Sequence, residues 1–496
     1  MSLDMWQKKI QEKRKNTPFR DFLRDIASWS AMVLYKNSSM ITKYPVTGRI
    51  KNIVSIQDYN AKGNQMDISD INYNLSFWEN LERLRTSFVY GQVIHFYNNE
   101  GSDFADCVFW GKNAYLSFVV WHEFENVLYS SMVYSRCTNI LNSVLISNNT
   151  QNIYYSKWVE QSYNVFFSKY INNSSNLWFC TNCIGCKECI LCDGLENVAY
   201  CIRNKQLSVE EYNKEKQNIL GEKKSFENMY WALGDSAKNY GSENVDGNFI
   251  RFSENVVNTH MAMRLRNSRN CLFISWVNGC ENFYDCFDAG INSSDFYGCC
   301  SGWAQAAHIY CSSQIDQCTH QYYSYHMETC HYCMGCIGLK NKSYCILNKQ
   351  YTKEERHTKV DEIFNQMDKD GTLGEFFPAK MNPFYFNDTA AYLIDPSFTK
   401  EEVMKLWYLR RDEPVKVDIP AGADVVKVSE LTNFESFDGD GNWYIDSSIL
   451  HKIIVDEEGN YYKIVKMEYD FLVKHGLPLP RKHRLDRMKE NFKISL

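Results

Sequence analysis

The sequence predicts a mainly β protein: two tandem parallel β-solenoids of about 12 to 13 residues per repeat, with helical connectors and an α+β C-terminal domain. Three observations predict this fold class. They are a run of slim residues at every third position, a ladder of asparagines at steps of 12 or 13, and an internal duplication at an offset of 144 residues. A helix repeats near 3.6 residues and an ordinary strand at about 2, so a sustained period of three fits neither.

The first observation is the run between residues 156 and 201. None of its sixteen positions at a spacing of three is charged or aromatic: Ser156, Val159, Ser162, Val165, Ser168, Ile171, Ser174, Leu177, Cys180, Cys183, Cys186, Cys189, Cys192, Leu195, Val198 and Cys201. Four inward positions per coil would make a 12-residue turn, whose interior is too narrow for large side chains. The run therefore predicts a narrow β-solenoid.

The second observation is a motif of Asn, an aliphatic residue, any residue, a bulky residue, and Ser or Cys. It begins at Asn113, Asn126, Asn139, Asn152, Asn164 and Asn176, degenerates at Glu188, and returns early at Asn197. Steps of 13, 13, 13, 12, 12 and 12 residues would stack equivalent residues about 4.8 Å apart. Asparagine suits such a corner because it tolerates left-handed backbone and its amide can bond the amides above and below.

The third observation is that two cysteine-rich ends superimpose at the offset of 144. Cys186, Cys189, Cys192, Gly194, Asn197, Tyr200, Cys201 and Asn204 match Cys330, Cys333, Cys336, Gly338, Asn341, Tyr344, Cys345 and Asn348. A capping box then opens a helix after each end. Motif starts in the second copy fall at Asn270, Asn282, Asp295, His308, His320 and Asn341. The chain thus contains a duplicated solenoid.

These signals divide the chain into six segments. We expect a helical and mixed cap at 1–105, solenoid one at 106–205, a helical connector at 206–245, solenoid two at 246–350, a helical connector at 351–412, and the α+β domain with a basic tail at 413–496. Caps are expected because the end coils of a solenoid expose unpaired hydrogen-bonding edges.

Composition narrows the class of protein. A net charge of −6 argues against a dedicated polyanion binder. The N-terminus lacks the apolar core of a signal peptide, and no run of about 18 apolar residues occurs, so we expect neither secretion nor membrane contact and a cytoplasmic location. All 19 cysteines lie between Cys107 and Cys345. An odd count in a chain of this kind favours thiols or metal ligands over a full disulfide framework.

The duplicated motif Cys-x2-Cys-x2-Cys-x8-Cys gives the first candidate site. Its members are Cys186, Cys189, Cys192 and Cys201, then Cys330, Cys333, Cys336 and Cys345. Four thiolates near one point could close a tetrahedral zinc site. The alternatives are that these residues are core thiols or, if the protein is oxidised, that they form disulfides across a coil. In a 12-residue coil, cysteines three apart are successive inward positions, and cysteine behaves as a small buried hydrophobe.

Large aromatic residues at two neighbouring outward positions give the second candidate. Tyr129, Tyr155, Phe167, Phe179 and Tyr200 share one motif position, and Tyr154, Phe166 and Trp178 share the next. Seven of these residues are called the aromatic face below: Tyr129, Tyr154, Tyr155, Phe166, Phe167, Trp178 and Phe179. Such a face would exceed the few hundred Å² of apolar patch usual for a monomer. It must therefore be covered by the other solenoid, the terminal domains or another chain, and the last option predicts protein partners in a homo- or hetero-oligomeric assembly.

The sequence contains fewer motifs that indicate catalysis or nucleic-acid binding than motifs that indicate a solenoid. The sequence has no dinucleotide-binding glycine motif, phosphate-binding loop, His-Glu-x-x-His or nucleophile elbow. His308 and His320 lie one coil apart and could bind a metal or fill asparagine positions. The acids Asp285, Asp288, Asp295 and Asp316 are candidates in a polysaccharide-cleaving solenoid, although no two share a position in neighbouring coils. The basic tail at 474–493 could contact phosphate, with a solvated terminus as the alternative.

Several runs resemble a known family. They are residues 112–116 and 125–130, the cysteine clusters, and the two endings of the form Tyr-Cys-Ile-x-Asn-Lys-Gln. Over about residues 105–370 the chain resembles a cysteine-rich β-solenoid family of small-genome uncultured bacteria and metagenomic tailed phages. The segment 477–483 is similar to a zinc-ribbon tail of that family but lacks its cysteines. The resemblance implies shared architecture and an association with phage particles.

The sequence therefore favours a non-enzymatic scaffold that builds or decorates a larger assembly, with a virion as the expected assembly. Two alternatives stay open at this point. One is a polysaccharide-binding or polysaccharide-cleaving solenoid, and the other is a zinc-dependent protein associated with nucleic acid.

Overall fold

The computed structural model describes residues 3–37, 40–67, 69–234, 238–251, 253–263, 271–274, 286–287, 294–302, 307–412, 419–439 and 441–492. Parallel β-solenoid coils lie within residues 95–346, about 16 turns in all, on either side of the helices at residues 209–231, and further helices lie outside this range. The predicted fold class is confirmed. The motif starts at Asn270 and Asn282 and the acids Asp285 and Asp288 lie outside the described residues.

The chain divides into two compact units, and each contains one solenoid. Unit 1 comprises Met1–Gln92, Ala237–Asp412 and Leu496, and unit 2 comprises Val93–Ser236 and Glu413–Ser495. Solenoid two therefore belongs with the N-terminal segment, whereas solenoid one belongs with the C-terminal domain. None of the helices in the described residues combines the length and hydrophobicity that a bilayer crossing requires.

The N-terminal segment of unit 1 is a mixture of helices and short strands. Its elements are α1 (Leu3–Lys15), α2 (Phe19–Asp25), β1 (Tyr35–Asn37), β2 (Met40–Thr42), β3 (Ile53–Val54), α3 (Ile56–Lys62), α4 (Phe77–Ser87) and β4 (Tyr90–Gly91). A capping box between Ser76 and Glu79 begins α4, which satisfies two of the backbone N–H groups at its start.

Solenoid one is a 14-stranded sheet in unit 2. Its strands are β5 (His95–Glu100), β6 (Phe104–Leu128), β7 (Ser131–Tyr134), β8 (Thr138–Leu141), β9 (Val144–Ser147), β10 (Gln151–Tyr154), β11 (Lys157–Glu160), β12 (Tyr163–Phe166), β13 (Lys169–Asn172), β14 (Ser175–Trp178), β15 (Thr181–Ile184), β16 (Lys187–Ile190), β17 (Ala199–Ile202) and β18 (Lys205–Gln206). Two parallel ladders start from β6: one continues through β8, β10, β12, β14, β16 and β17, and the other through β7, β9, β11, β13 and β15. Strand β18 folds back antiparallel on β17.

The period of three has a backbone cause. From Asn152 to Arg203 every third residue has left-handed φ, and the residue after it points into the coil; non-glycine examples are Asn152, Tyr155, Trp158, Gln161, Asn164, Phe167, Tyr170 and Asn173. Each side of the coil is thus two extended residues and one left-handed residue. Because non-glycine residues rarely adopt this conformation, hydrogen bonds between coils must hold it.

The change from 13 to 12 residues per coil has a local cause at one corner. In the longer coils this corner carries two consecutive left-handed residues, as at Ser135 and Arg136 or at Asn148 and Asn149. In the shorter coils the corner carries only one, such as Gln161 or Asn173. The additional residue is therefore absorbed without disturbing the other three sides.

The predicted asparagine ladder is confirmed from Asn113 to Asn176. Each carboxamide nitrogen donates to the carboxamide oxygen one coil on, at 2.8–3.0 Å. Glu188 ends the ladder, because its carboxylate accepts from Asn176 at 2.6 Å and from Lys216 at 2.9 Å. A lysine thus closes the row of amides where the solenoid ends.

The interior of solenoid one is filled by the predicted inward residues. Val159, Val165, Ile171 and Cys183 are fully buried in a single core cluster. Inward serines are satisfied as well: the Ser156 hydroxyl donates to Tyr154 O at 2.9 Å and accepts the backbone N–H of Ser168 at 3.0 Å. The same pattern recurs one coil on, where the N–H of Cys180 donates to Ser168 Oγ. The coil is therefore a packed core rather than a channel.

Helices follow solenoid one, and solenoid two then repeats the coil pattern. These elements are α5 (Val209–Gly221), α6 (Phe226–Trp231), β19 (Glu243–Arg251), β20 (Glu254–Met263), β21 (Cys271–Ile274), β22 (Cys286–Phe287), β23 (Ser294–Gly302), β24 (Ala307–Asp316), β25 (Thr319–Tyr322), β26 (Tyr325–Glu328), β27 (His331–Met334), β28 (Cys345–Ile346) and β29 (Lys349–Gln350). Strands β19 to β29 form an 11-stranded sheet.

The remainder of the chain contributes to both units. Unit 1 receives α7 (Lys353–Lys369), α8 (Ala390–Ile394) and α9 (Lys400–Lys405). Unit 2 receives β30 (Val425–Lys427), β31 (Glu435–Phe437), β32 (Trp443–Ile445), β33 (Ile453–Val455), β34 (Tyr461–Tyr462), α10 (Lys466–His475) and α11 (Arg484–Phe492). The last group forms the C-terminal α+β domain that packs on solenoid one.

Candidate functional sites

The first cysteine quartet lies in the last coils of solenoid one. Cys189 and Cys201 occupy paired positions of β16 and β17, whereas Cys192 extends the column of inward serines, since its Sγ accepts the N–H of Asn204. Cys186 extends a different column, in which its N–H donates to Ser174 Oγ at 3.0 Å. All four are buried. The register thus spreads the quartet over three columns.

The second quartet has the same arrangement in solenoid two. The Sγ of Cys330 and the Sγ of Cys336 accept the backbone N–H groups of Lys342 and Asn348, each at 3.4 Å. All four sulfur atoms donate to carbonyl oxygens two residues earlier in the chain, at 3.3–3.6 Å. Each thiol is therefore already used as a hydrogen-bonding group of the core.

Burial sets the protonation of several of these sulfur atoms. It raises the pKa of Cys180 and Cys336 well above the usual thiol value and that of Cys137 to about 12. Hydrogen bonds from Cys183 and Cys189 act in the opposite direction at Cys186 and lower its pKa to about 3. Hydrogen bonds from Cys180 and Cys189 lower the pKa of Cys192 in the same way.

The positions of the cysteines bear on whether each quartet could bind zinc. Among the residues that the structure describes, no group of three or more His, Cys, Asp or Glu side chains is placed to hold a metal ion. A tetrahedral zinc site needs four donors around one point, whereas the quartets are spread over separate columns. The predicted zinc sites receive no support from this geometry.

The aromatic face is covered by its own unit. Its seven residues, Tyr129, Tyr154, Tyr155, Phe166, Phe167, Trp178 and Phe179, are between 0% and 7% exposed. Phe226 of α6 lies 5.5 Å from Phe167 and 5.1 Å from Phe179 between ring centroids. Phe471 of α10 lies 6.2 Å from Tyr154. Of the three predicted covers, the terminal domain and the connector fill the role, so these seven side chains are not free to bind another chain.

Two sequence assignments at the solenoid ends are wrong by three residues. The register pairs Lys187 with Ala199, which places Tyr200 rather than Asn197 beside Glu188 in the asparagine column. The interpretation of Tyr200 as a member of the bulky aromatic position is wrong for the same reason. In solenoid two, Tyr344 likewise stacks on Tyr332 at 5.3 Å and takes the place expected for Asn341. Asparagine also fits the other left-handed corners of the coil, and for this reason the sequence motif assigned Asn197 and Asn341 to the wrong corner.

The histidines of solenoid two continue this column. His308 and His320 lie 4.9 Å apart between ring centroids, and His320 stacks on Tyr332 at 4.2 Å. Burial lowers the pKa of His320 to about 4, so its ring is neutral near pH 7. Asp295 pairs in register with His308, whereas Asp316 is buried opposite Glu328. The histidines thus fill asparagine positions, with His320 stacked on Tyr332 and tilted against His308.

The basic tail is folded and largely neutralised within its unit. Arg487 is 1% exposed and bonds the fully buried Glu468 at 3.0 Å. The other ion pairs of the described tail are Lys482 with Glu490 at 2.5 Å, Lys489 with Asp486 at 3.3 Å and Arg481 with Glu435 at 3.5 Å. The predicted phosphate contact of residues 474–493 therefore has few unpaired cations available.

A charged cleft of about 430 Å³ lies in unit 2, and the sequence did not indicate it. It is lined by Glu227, Val428, Ser429, Asp456, Glu457, Glu458, Arg481, Lys482, Asp486, Lys489 and Glu490. Burial raises the pKa of Glu227; Lys482 opposes the shift, and the carboxylate of Glu490 adds to it. Glu490 also accepts a hydrogen bond from Tyr155 at 2.8 Å. The cleft thus pairs a carboxyl of raised pKa with an ion-paired carboxylate.

No family model, curated protein or solved structure matches the chain. The resemblance to the cysteine-rich solenoid family stays a prediction. Function is therefore inferred from the packed solenoids, the covered aromatic face and the cleft.

Proposed function

We propose that this chain is a non-enzymatic structural protein whose solenoids serve as rigid elements of a larger assembly, with a phage virion as the candidate assembly. The observation that carries the proposal is the filled interior of solenoid one. Its inward residues, such as Val133, Ile153 and Leu177, are fully buried, so the described coils of this solenoid leave no lumen for a substrate.

The use of the polar groups supports the same role. Serine hydroxyls and cysteine thiols of the interior are engaged in hydrogen bonds between coils, and the asparagine ladder runs along the outside. Such groups stiffen a repeat array because each coil is fixed to its neighbours. An array whose coils are joined by these hydrogen bonds is suited to structural support.

Native mass measurement over a range of protein concentrations tests the proposal. We expect oligomers or higher assemblies to persist to dilute protein. A chain that stays monomeric at every concentration, alone and with the other proteins of its own source, would contradict the scaffold role.

The charged cleft favours a second candidate, polysaccharide cleavage. Glycoside hydrolysis uses one carboxylic acid of raised pKa and one carboxylate, and Glu227 and Glu490 have these two characters. Reducing-end assays on a panel of polysaccharides test it, with Glu227→Gln as the variant and Glu457→Gln, on the rim of the same cleft, as the matched control. Activity abolished by the first variant alone would replace the scaffold proposal with this one.

A further inference from the structure

The C-terminal ends of the two solenoids are duplicates in sequence but differ in what covers them. In unit 1 the carboxamide of Asn64 accepts the N–H of Lys340 at 2.6 Å and donates to Lys340 O at 3.0 Å. The N–H of Asp67 donates to Asn348 O at 2.9 Å, and Asn348 Nδ2 donates to Gln65 O at 2.9 Å. Residues 64–67 therefore cover the last coil of solenoid two through four hydrogen bonds, one of which joins two backbone groups.

Aromatic residues complete this cover. At Gly338, whose φ is +66°, an added Cβ would lie 2.4 Å from the ring of Phe88 and 2.6 Å from the hydroxyl of Tyr59. The glycine thus lets the covering segment approach the backbone of the last coil closely. The end of solenoid two is a closed surface.

The end of solenoid one is built on the same backbone plan. At the offset of 144, Gly194, Glu196 and Asn204 correspond to Gly338, Lys340 and Asn348. Asn204 accepts the N–H of Asp193 at 2.9 Å and donates to Asp193 O at 2.8 Å. Asn348 makes the equivalent pair of bonds to Ile337. The internal construction of the two ends is therefore alike.

The cover, however, is missing from solenoid one. Asp193, Gly194, Glu196, Asn197 and Asn204 are exposed. Within the described part of the chain, nothing bonds the N–H or C=O of Glu196 or the C=O of Asn204, which are the groups that residues 64–67 satisfy in the duplicate. Unpaired edges of this kind accept an added strand from another chain. These five residues are called the open end below.

Charge indicates what would bind. Lys340 in the covered end pairs with Glu328 at 2.7 Å, but solenoid one has Glu196 at that position and Ile184 opposite it. Asp193 likewise replaces the apolar Ile337. Two exposed acids therefore line the side of the coil along which a covering segment would lie, and they favour a basic segment.

We propose that the open end binds an extended, basic segment of a partner protein that carries an Asn or Gln side chain in the role of Asn64. A second copy of this chain is disfavoured as the partner, since its own residues 64–67 already cover its solenoid two. The inference rests on the proposed scaffold role and deepens it by naming one contact surface.

Binding of a synthetic peptide to the full-length chain tests this inference. The probe is residues 59–70 with Asp67→Lys and Asp70→Lys, and binding is followed by calorimetry. We expect saturable binding that weakens at least about tenfold when the peptide also carries Asn64→Ala, because it then lacks the carboxamide that spans both backbone groups. The chain variant Glu196→Lys should weaken binding by a similar factor.

Glu125→Lys, a charge-matched change at an exposed position elsewhere on solenoid one, should leave the affinity unchanged. No saturable binding at about 1 mM peptide, or equal affinity for Glu196→Lys and the unaltered chain, would overturn the inference. Oligomers in the native mass measurement together with such a failure would keep the scaffold role and reject this surface. Peptide binding by a strictly monomeric chain would keep the surface and reject the scaffold.

Discussion

Replacing Asn139 by alanine tests the asparagine ladder near its centre. The carboxamide of Asn139 accepts from Asn126 at 2.9 Å and donates to Asn152 at 3.0 Å, and its φ is 57°. Alanine removes both bonds, each contributing about 1 kcal/mol, and places a Cβ residue without side-chain compensation in left-handed backbone, which costs about 1 kcal/mol. We expect the free energy of unfolding to fall by about 3 kcal/mol.

Urea denaturation followed by tryptophan fluorescence measures this loss, and Asn149→Ala is the matched control. Asn149 has nearly the same backbone, with φ 54°, but it is exposed and lies outside the ladder. Replacing it by alanine should lower the free energy of unfolding only by the cost of left-handed backbone at alanine, about 1 kcal/mol. Asn139→Gly should fall between the two, because glycine tolerates φ above zero. Equal losses for Asn139→Ala and Asn149→Ala would refute the claim that the ladder stabilises the solenoid.

Three further predictions concern buried polar groups. Ser156→Val leaves the amide of the next coil without its acceptor and should cost about 2 kcal/mol, whereas Ser156→Cys should cost under about 1 kcal/mol, as urea denaturation would show. Arg487→Met strands the buried carboxylate of Glu468 and should cost about 3 to 5 kcal/mol; adding Glu468→Leu should recover most of this in calorimetry, and a lack of recovery would reject the pairing. Burial lowers the pKa of His475 to about 4, so stability present above about pH 6.5 should be lost as pH falls towards 4, by up to ~3 kcal/mol. Urea titrations at several pH values should show a shallower loss for His475→Phe, and an unchanged slope would contradict the assignment.

The solenoid could be predicted from sequence because its rule is local and repeated. Each coil places one left-handed residue before each inward residue, so the spacing of Val159, Val165 and Ile171 records the winding directly. The same rule misplaced Asn197, since every corner of the coil is left-handed and accepts asparagine. Only strand register, which depends on pairing across coils, distinguishes the ladder column from the corner beside it.

The cover of the aromatic face could not be read from the sequence. Its large side chains required burial, but Phe226 and Phe471 come from segments far apart in the chain that no local pattern connects to β10 and β12. The ion pairs of the basic tail could not be read from the sequence for a related reason. Its charges are clustered in sequence, whereas partners such as Glu435 and Glu468 come from elsewhere in the folded domain.

The reciprocal bonding of successive coils has a consequence for how such a chain could change in length. The twelve residues 165–176 make one complete coil, because Val165 pairs in register with Leu177, the residue that follows the stretch. If this coil were removed, the backbone N–H of Cys180 could donate to the hydroxyl of Ser156, as the N–H of Ser168 does now. The hydrogen bonds between coils would therefore be formed again across the deletion. Insertion or deletion of whole coils would therefore change the length of the solenoid without changing the hydrogen bonds between its coils.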